Sequence, residues 1–198
     1  MDKLQIKSEI DNAKNMNKPI LFKGILKDTP DWNYVMQYLD KKFNETPNYG
    51  EWINHNEFLK NKNNETVPMF KYGTFDLQAW FINLPECDQM SNIFSLNEKH
   101  VNEMNFKILI DFLGTGEKNS IHKDHSEVYS WTWINSIEYR IYEDKNEYPF
   151  EHSLDIYNEP YESFIIEAGD VLYMPKGIIH QSIVNEPRVS LIASTDYA

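Results

Sequence analysis

From Val67 onward this chain is a succession of short runs of β-branched and aromatic residues, each closed by a turn signal. The runs are Phe106 to Phe112, Val128 to Trp133, Ile137 to Tyr142, Tyr161 to Ile166, Val171 to Met174, Ile178 to Val184 and Val189 to Ala193. Gly114-Thr115-Gly116 breaks the first, and Asn135-Ser136 makes a turn between the second and third. Strands this short bury enough surface only when two sheets face each other or one sheet closes on itself, so the spacing predicts a sandwich or closed roll over 66–198.

Residues 1–65 read differently, as a mixed and mostly helical extension. Pro19 to Gly24 is a short apolar run closed by glycine, a strand. Trp32, Val35, Met36 and Leu39 recur at helical spacing behind Asp31, which caps that helix. A second helix is expected over Asn56 to Lys62. Residues 143–160, rich in Asp, Glu, Asn and Pro, read as a long loop of the kind that serves as a lid or binding loop. No Gly/Ser-rich or Pro-rich linker divides the chain, so 1–198 is expected to be a single domain.

Composition narrows the partners. With 19 basic and 31 acidic residues the net charge is −12, and such a surface repels phosphate backbones. Nucleic acid is therefore not an expected partner. A single cysteine, Cys87, rules out an intrachain disulfide, which fits a reducing compartment. The first residues lack the apolar core of a signal peptide, and no apolar run reaches the roughly 20 residues of a membrane span. No membrane association and a cytoplasmic location are expected.

Two segments carry the chemistry. The first is Ser120-Ile121-His122-Lys123-Asp124. Residues i and i+2 of a strand share a face, so His122 and Asp124 project side by side. The second runs from Gly169-Asp170, a tight turn into a strand, through a second turn at Pro175 and Gly177, to His180 on the next strand. That double turn can return His180 to the first pair. Two imidazoles and one carboxylate are the ligand set of a mononuclear non-heme Fe(II) site with open positions, which implies O2 chemistry. His125, adjacent to Asp124, faces the other way on a strand. His55, His100 and His152 have no partner at ligand spacing.

These residues resemble the JmjC and cupin-like hydroxylases. Lys18 to Gly24 resembles the family's opening strand, Gly116 to Asp124 its glycine-then-His-x-Asp segment, and Ala168 to His180 its distal-histidine segment. The resemblance implies a double-stranded β-helix (a cupin-like jelly roll). It also implies a 2-oxoglutarate cosubstrate, with Fe(II) held by His122, Asp124 and His180. Such enzymes hydroxylate an unactivated C–H bond, with succinate and CO2 as co-products. The substrate would be a peptide or protein side chain, or a small amino-acid-like molecule.

JmjC members carry a lysine for the cosubstrate's far carboxylate on the strand after the His-x-Asp segment. Here that strand has no lysine; it has Glu138 and Arg140. Arg140 is the first candidate, since a guanidinium holds a carboxylate bidentately, and Thr132 adds a hydroxyl from the neighbouring strand. Arg188 with Ser190 is the second, resembling the Arg-x-Ser pair that many other 2-oxoglutarate oxygenases place after the distal histidine. Asn119 and Ser120 are further candidates to reach the cosubstrate or orient ligands. Two other readings stand beside the hydroxylase: a cupin metalloenzyme that does not use 2-oxoglutarate, such as a dioxygenase or isomerase, and a non-catalytic binding module. The sequence does not specify the oligomeric state.

Overall fold

The structure is a computed structural model, and it describes residues 1–45, 74–78, 85–94, 104–111, 117–118, 121–144 and 159–195. Two helices and a strand occupy the first 45 residues: α1 (Lys3–Met16), β1 (Ile20–Phe22) and α2 (Trp32–Glu45). Helix α1 begins where the Asp2 carboxylate accepts from the Gln5 amide at 2.8 Å. It ends at Asn17 in the left-handed region, φ 49°, whose neighbour Lys18 donates back to the Ala13 carbonyl. Ile6, Ile10 and Ala13 line one helical stripe and are buried.

Helix α2 starts as the sequence predicts, with the Tyr34 amide donating to Asp31 Oδ1 at 2.8 Å. Its predicted apolar face is only partly right. Val35 is buried and Trp32 half-buried, but Met36 is 51% exposed. Leu39 and the helix expected over 56–62 fall outside the described side chains and residues, as does most of the loop expected over 143–160.

The rest is mainly β. The larger sheet runs β1–β9–β6–β11–β3–β2, where β2 is Thr74–Gln78, β3 Met104–Asp111, β6 Val128–Ile134, β9 Val171–Met174 and β11 Arg188–Thr195. The smaller runs β4–β10–β7–β8, where β4 is Glu117–Lys118, β7 Ser136–Tyr142, β8 Glu162–Glu167 and β10 Ile179–Val184. Strand β5 (His122–Lys123) pairs with β10, and every pairing is antiparallel. This is the expected double-stranded β-helix. The strands predicted from sequence are all present, with ends moved by a residue or two. One element breaks the expected run of strands: α3 (Pro85–Ile93), which opens on proline with Glu86 and Asp88 in its first turn. No helix of the described residues is long and apolar enough to cross a membrane.

Strand alternation divides the side chains between two cores. Tyr129, Trp131 and Trp133 of β6 and Val189, Leu191 and Ala193 of β11 pack on one face of the larger sheet with Ile6, Ile10, Phe22, Val35 and Met90. That face is closed by the helices. The opposite parity packs against the smaller sheet: Val128, Leu172 and Met174 meet Ile137, Tyr139, Ile141 and Ile166. Ser130 and Thr132 share the parity of Val128, so their hydroxyls enter the roll interior, where both are fully buried. A β6 strand buried along its whole length thus carries aromatics toward the helices and hydroxyls toward the roll.

The turn at Gly169-Asp170 ties the roll to the N-terminal segment. Gly169 has φ 89°, and a Cβ there would lie 2.7 Å from the Leu26 carbonyl oxygen, so only glycine fits. Its own carbonyl accepts from the Leu26 amide, and its amide donates to the Thr132 carbonyl. The buried Asp170 carboxylate accepts from the Gly24 amide at 2.7 Å and the Glu167 amide at 3.1 Å.

Candidate metal centre

His122 and His180 are register partners across the β5–β10 pairing, so they face the same side with ring centroids 4.3 Å apart. Asp124 follows β5 and is fixed from the next turn, where the Gly177 amide donates to its backbone carbonyl at 3.0 Å. Gly177 sits at φ 83°, the positive-φ turn that swings the chain back toward His180. The double turn read in the sequence therefore does return the distant imidazole to the His-x-Asp pair.

The donor atoms of His122, Asp124 and His180 all lie within 4.8 Å of one another. His122 Nε2 is 3.8 Å from Asp124 Oδ1, and His180 Nε2 is 3.6 Å from Asp124 Oδ2. These separations are too long for hydrogen bonds and suit atoms that converge on a common cation. His180 Nδ1 is 3.0 Å from the Ile178 carbonyl, which can only accept, so Nδ1 carries the hydrogen and Nε2 keeps its lone pair. Burial, reinforced by the neighbouring His122, lowers the His180 pKa to about 4 and keeps the ring neutral, as a ligand must be. Two imidazole nitrogens and one carboxylate suit a divalent transition metal such as Fe(II), with positions left open. His125 is exposed.

A buried polar cluster continues inward from this triad. The Tyr139 ring lies 5.8 Å from the His180 ring, centroid to centroid, and its hydroxyl is 3.2 Å from Ser130 Oγ. Burial raises the Tyr139 pKa, and the nearby Arg188 and the Ser130 hydrogen bond oppose that rise. Arg188 itself is 1% exposed. Its Nε meets Asp111 Oδ2 at 2.6 Å, and its Nη1 donates to Ser190 Oγ at 2.8 Å. Ser190 Oγ is 3.5 Å from Thr132 Oγ1. Arg188 and Asp111 are register partners in the β11–β3 pairing, which places them on one face.

The sequence-predicted residues thus separate. Arg188, Ser190 and Thr132 come together inside the roll. Arg140, the first candidate, does not join them. Along β7 the inward residues are Ile137, Tyr139 and Ile141, and the register that sets Ile141 opposite His180 sets Arg140 opposite Gln181, on the other face. There Arg140 Nε donates to Glu138 Oε1 at 2.6 Å. Parity of β7 was the missing information: counting from an inward Tyr139 would have excluded Arg140. Asn119 and Ser120 lie outside the described residues. Sequence reasoning missed Asp111, Ser130 and Tyr139. Their only signal is polarity: an acid ending an apolar strand, and small or hydroxylated residues between large aromatics.

Comparisons with known proteins agree with this architecture. A family described as JmjC domain matches residues 110–197. No curated protein matches the chain. Among solved structures, the chain is similar to YcfD, a ribosomal oxygenase from Escherichia coli, in complex with cobalt and succinic acid. That match has TM-score 0.57 and 14% identity, covering 91% of this chain and 48% of the other. A second YcfD structure, from E. coli, gives TM-score 0.51 and 17% identity over 63% of this chain and 34% of the other. A third, with cobalt and 2-oxoglutarate, gives TM-score 0.50 and 16% identity over 63% and 32%. The chain spans about half or less of the length of these proteins.

Proposed function

We propose, for a chain that carries a JmjC domain over residues 110–197, that it is an Fe(II)- and 2-oxoglutarate-dependent oxygenase. It would hydroxylate a peptide or protein side chain, or a small amino-acid-like molecule. The observation that carries the reading is the joining of two sites in one roll. A His122–Asp124–His180 donor set lies beside a buried cluster of Arg188, Ser190, Thr132 and Tyr139, with the Tyr139 ring 5.8 Å from that of His180. Solved YcfD structures hold cobalt with 2-oxoglutarate or succinic acid, which supports the reading.

Fe(II), when bound, supplies O2 activation coupled to decarboxylation of the cosubstrate. The chain's own residues do the rest. His122, Asp124 and His180 would hold the metal. The Ile178 carbonyl fixes the tautomer of His180. Arg188 anchors the far carboxylate, with the Ser190 and Thr132 hydroxyls beside it. The Tyr139 ring, 5.8 Å from the His180 ring, would line the side of the path from the metal ligands to the anchor. On this reading Arg188, rather than Arg140, is the anchor.

Calorimetric titration of 2-oxoglutarate with Mn(II) as an inert metal tests the assignment. Arg188→Lys keeps a buried cation but loses the planar fork, and should weaken binding tenfold or more, on the order of one lost bidentate contact. Arg140→Met should leave it within about twofold, as an outward residue would. The reverse result sinks the assignment. A cupin metalloenzyme without 2-oxoglutarate is the second reading, favoured by one observation: Arg188 already has a carboxylate partner in Asp111. Metal binding without 2-oxoglutarate binding would select it.

A further inference from the structure

The geometry points to Asp111 as a positioning and selectivity residue for the Arg188 anchor, an inference that rests on the 2-oxoglutarate reading above. A guanidinium has five N–H donors in a rigid plane. In this roll two groups hold it among the described residues: the Asp111 carboxylate, whose Oδ2 lies 2.6 Å from Nε as an ion pair outside hydrogen-bond alignment, and Ser190 Oγ, which accepts one Nη1 hydrogen at 2.8 Å. Two attachments fix the plane of the guanidinium, and the remaining Nη hydrogens are left for a ligand. An arginine side chain held at only one point would sweep several rotamers; this one is fixed by a register partner across β3–β11 and a same-strand neighbour.

The same contact changes the charge the ligand meets. Both side chains of the pair are nearly solvent-free, at 1% and 2% exposure, so their charges are little screened by water. A carboxylate arriving at Arg188 meets a guanidinium already neutralised by Asp111, and is itself repelled by Asp111 across the guanidinium. The anchor therefore grips by directed hydrogen bonds from Arg188, Ser190 and Thr132 more than by net charge. Such an anchor discriminates poorly between a carboxylate and an uncharged acceptor of the same shape. A lone buried arginine would demand the charge.

N-oxalylglycine, an isostere of 2-oxoglutarate, and its glycinamide counterpart differ at the far end, where an uncharged carboxamide with one acceptor oxygen replaces the carboxylate. Both are titrated calorimetrically into Mn(II)-loaded protein, so the readout is affinity and not turnover. The wild-type protein is expected to prefer the acid by less than about thirtyfold, the weak bias of a neutralised anchor. A larger preference overturns the proposal. Asp111→Asn keeps an oxygen for Arg188 Nε and removes the charge, so the preference for the acid should rise by roughly tenfold or more. An unchanged or reduced preference in the folded variant also overturns it. Should Asp111→Asn fail to fold, the wild-type ratio decides alone. Binding of neither compound by metal-loaded wild-type protein removes the 2-oxoglutarate reading itself, an outcome distinct from a wrong ratio.

Discussion

Replacing Arg188 with methionine should destabilise the fold more than any change on the protein's outer surface. Its side chain is 1% exposed and that of Asp111 is 2%, with Nε and Oδ2 2.6 Å apart. Taking Arg188 away leaves the Asp111 carboxylate in the roll without its guanidinium. Breaking a buried pair from one side costs about 3–5 kcal/mol. That is a large part of the roughly 5–15 kcal/mol that holds a typical domain together. Adding Asp111→Asn to Arg188→Met removes the stranded charge, and should recover at least about 2 kcal/mol of the loss. The Arg140–Glu138 pair is the internal control. It has a similar Nε–Oε1 distance of 2.6 Å, but its side chains are 32% and 21% exposed. Arg140→Met should therefore cost no more than about 1 kcal/mol. Urea denaturation of the four proteins, with midpoint and slope fitted together, measures all of this. A loss below about 1 kcal/mol for Arg188→Met, or no recovery in the double variant, would show that this pair is not the desolvated contact described.

Three further outcomes follow from other parts of the molecule. Gly169→Ala should lower the midpoint of thermal unfolding by several degrees, because a Cβ would lie 2.7 Å from the Leu26 carbonyl at a backbone φ of 89°; an unchanged midpoint would contradict that geometry. Asp170→Ala strands the Gly24 and Glu167 amides, and should cost about 2–4 kcal/mol in urea, with a loss under 1 kcal/mol counting against it. The metal-free protein should lose stability as pH falls from 6.5 toward about 4, the span over which the unfolded chain takes up a proton at His180 that the folded chain refuses. Above 6.5 the ring is neutral in both states and contributes no slope. His180→Gln should flatten that part of the curve, and an unaltered slope would assign it elsewhere.

The strand content of this chain was readable because turn residues punctuate it. Asn135 takes a left-handed φ of 57° between β6 and β7, and Gly169 and Gly177 bracket β9 with positive φ. The three metal-ligand candidates were readable for the same reason: i, i+2 parity and a double turn are local properties. What was not legible is which way a strand faces once it is wholly buried. Strand β6 is buried at every position, so hydropathy gives no parity, and only packing separates Trp131 from Thr132. On β7 both Tyr139 and Arg140 are plausible inward residues until β10 is laid beside them. The Arg188–Asp111 pairing joins strands that are far apart in sequence, and no spacing rule reaches that far. Helix α3 is hard to read from periodicity because its nine residues carry few apolar positions, although Pro85 and two acids mark its start.

The proposed function requires one roll to join a three-ligand metal site to a 2-oxoglutarate anchor. Visible absorption of the anaerobic protein with Fe(II) and 2-oxoglutarate tests it most directly. A chelate held on His122, Asp124 and His180 should give a metal-to-ligand charge-transfer band that disappears in Asp124→Ala and weakens in Arg188→Lys at equal cosubstrate. Iron binding with no such band at saturating 2-oxoglutarate would contradict the account.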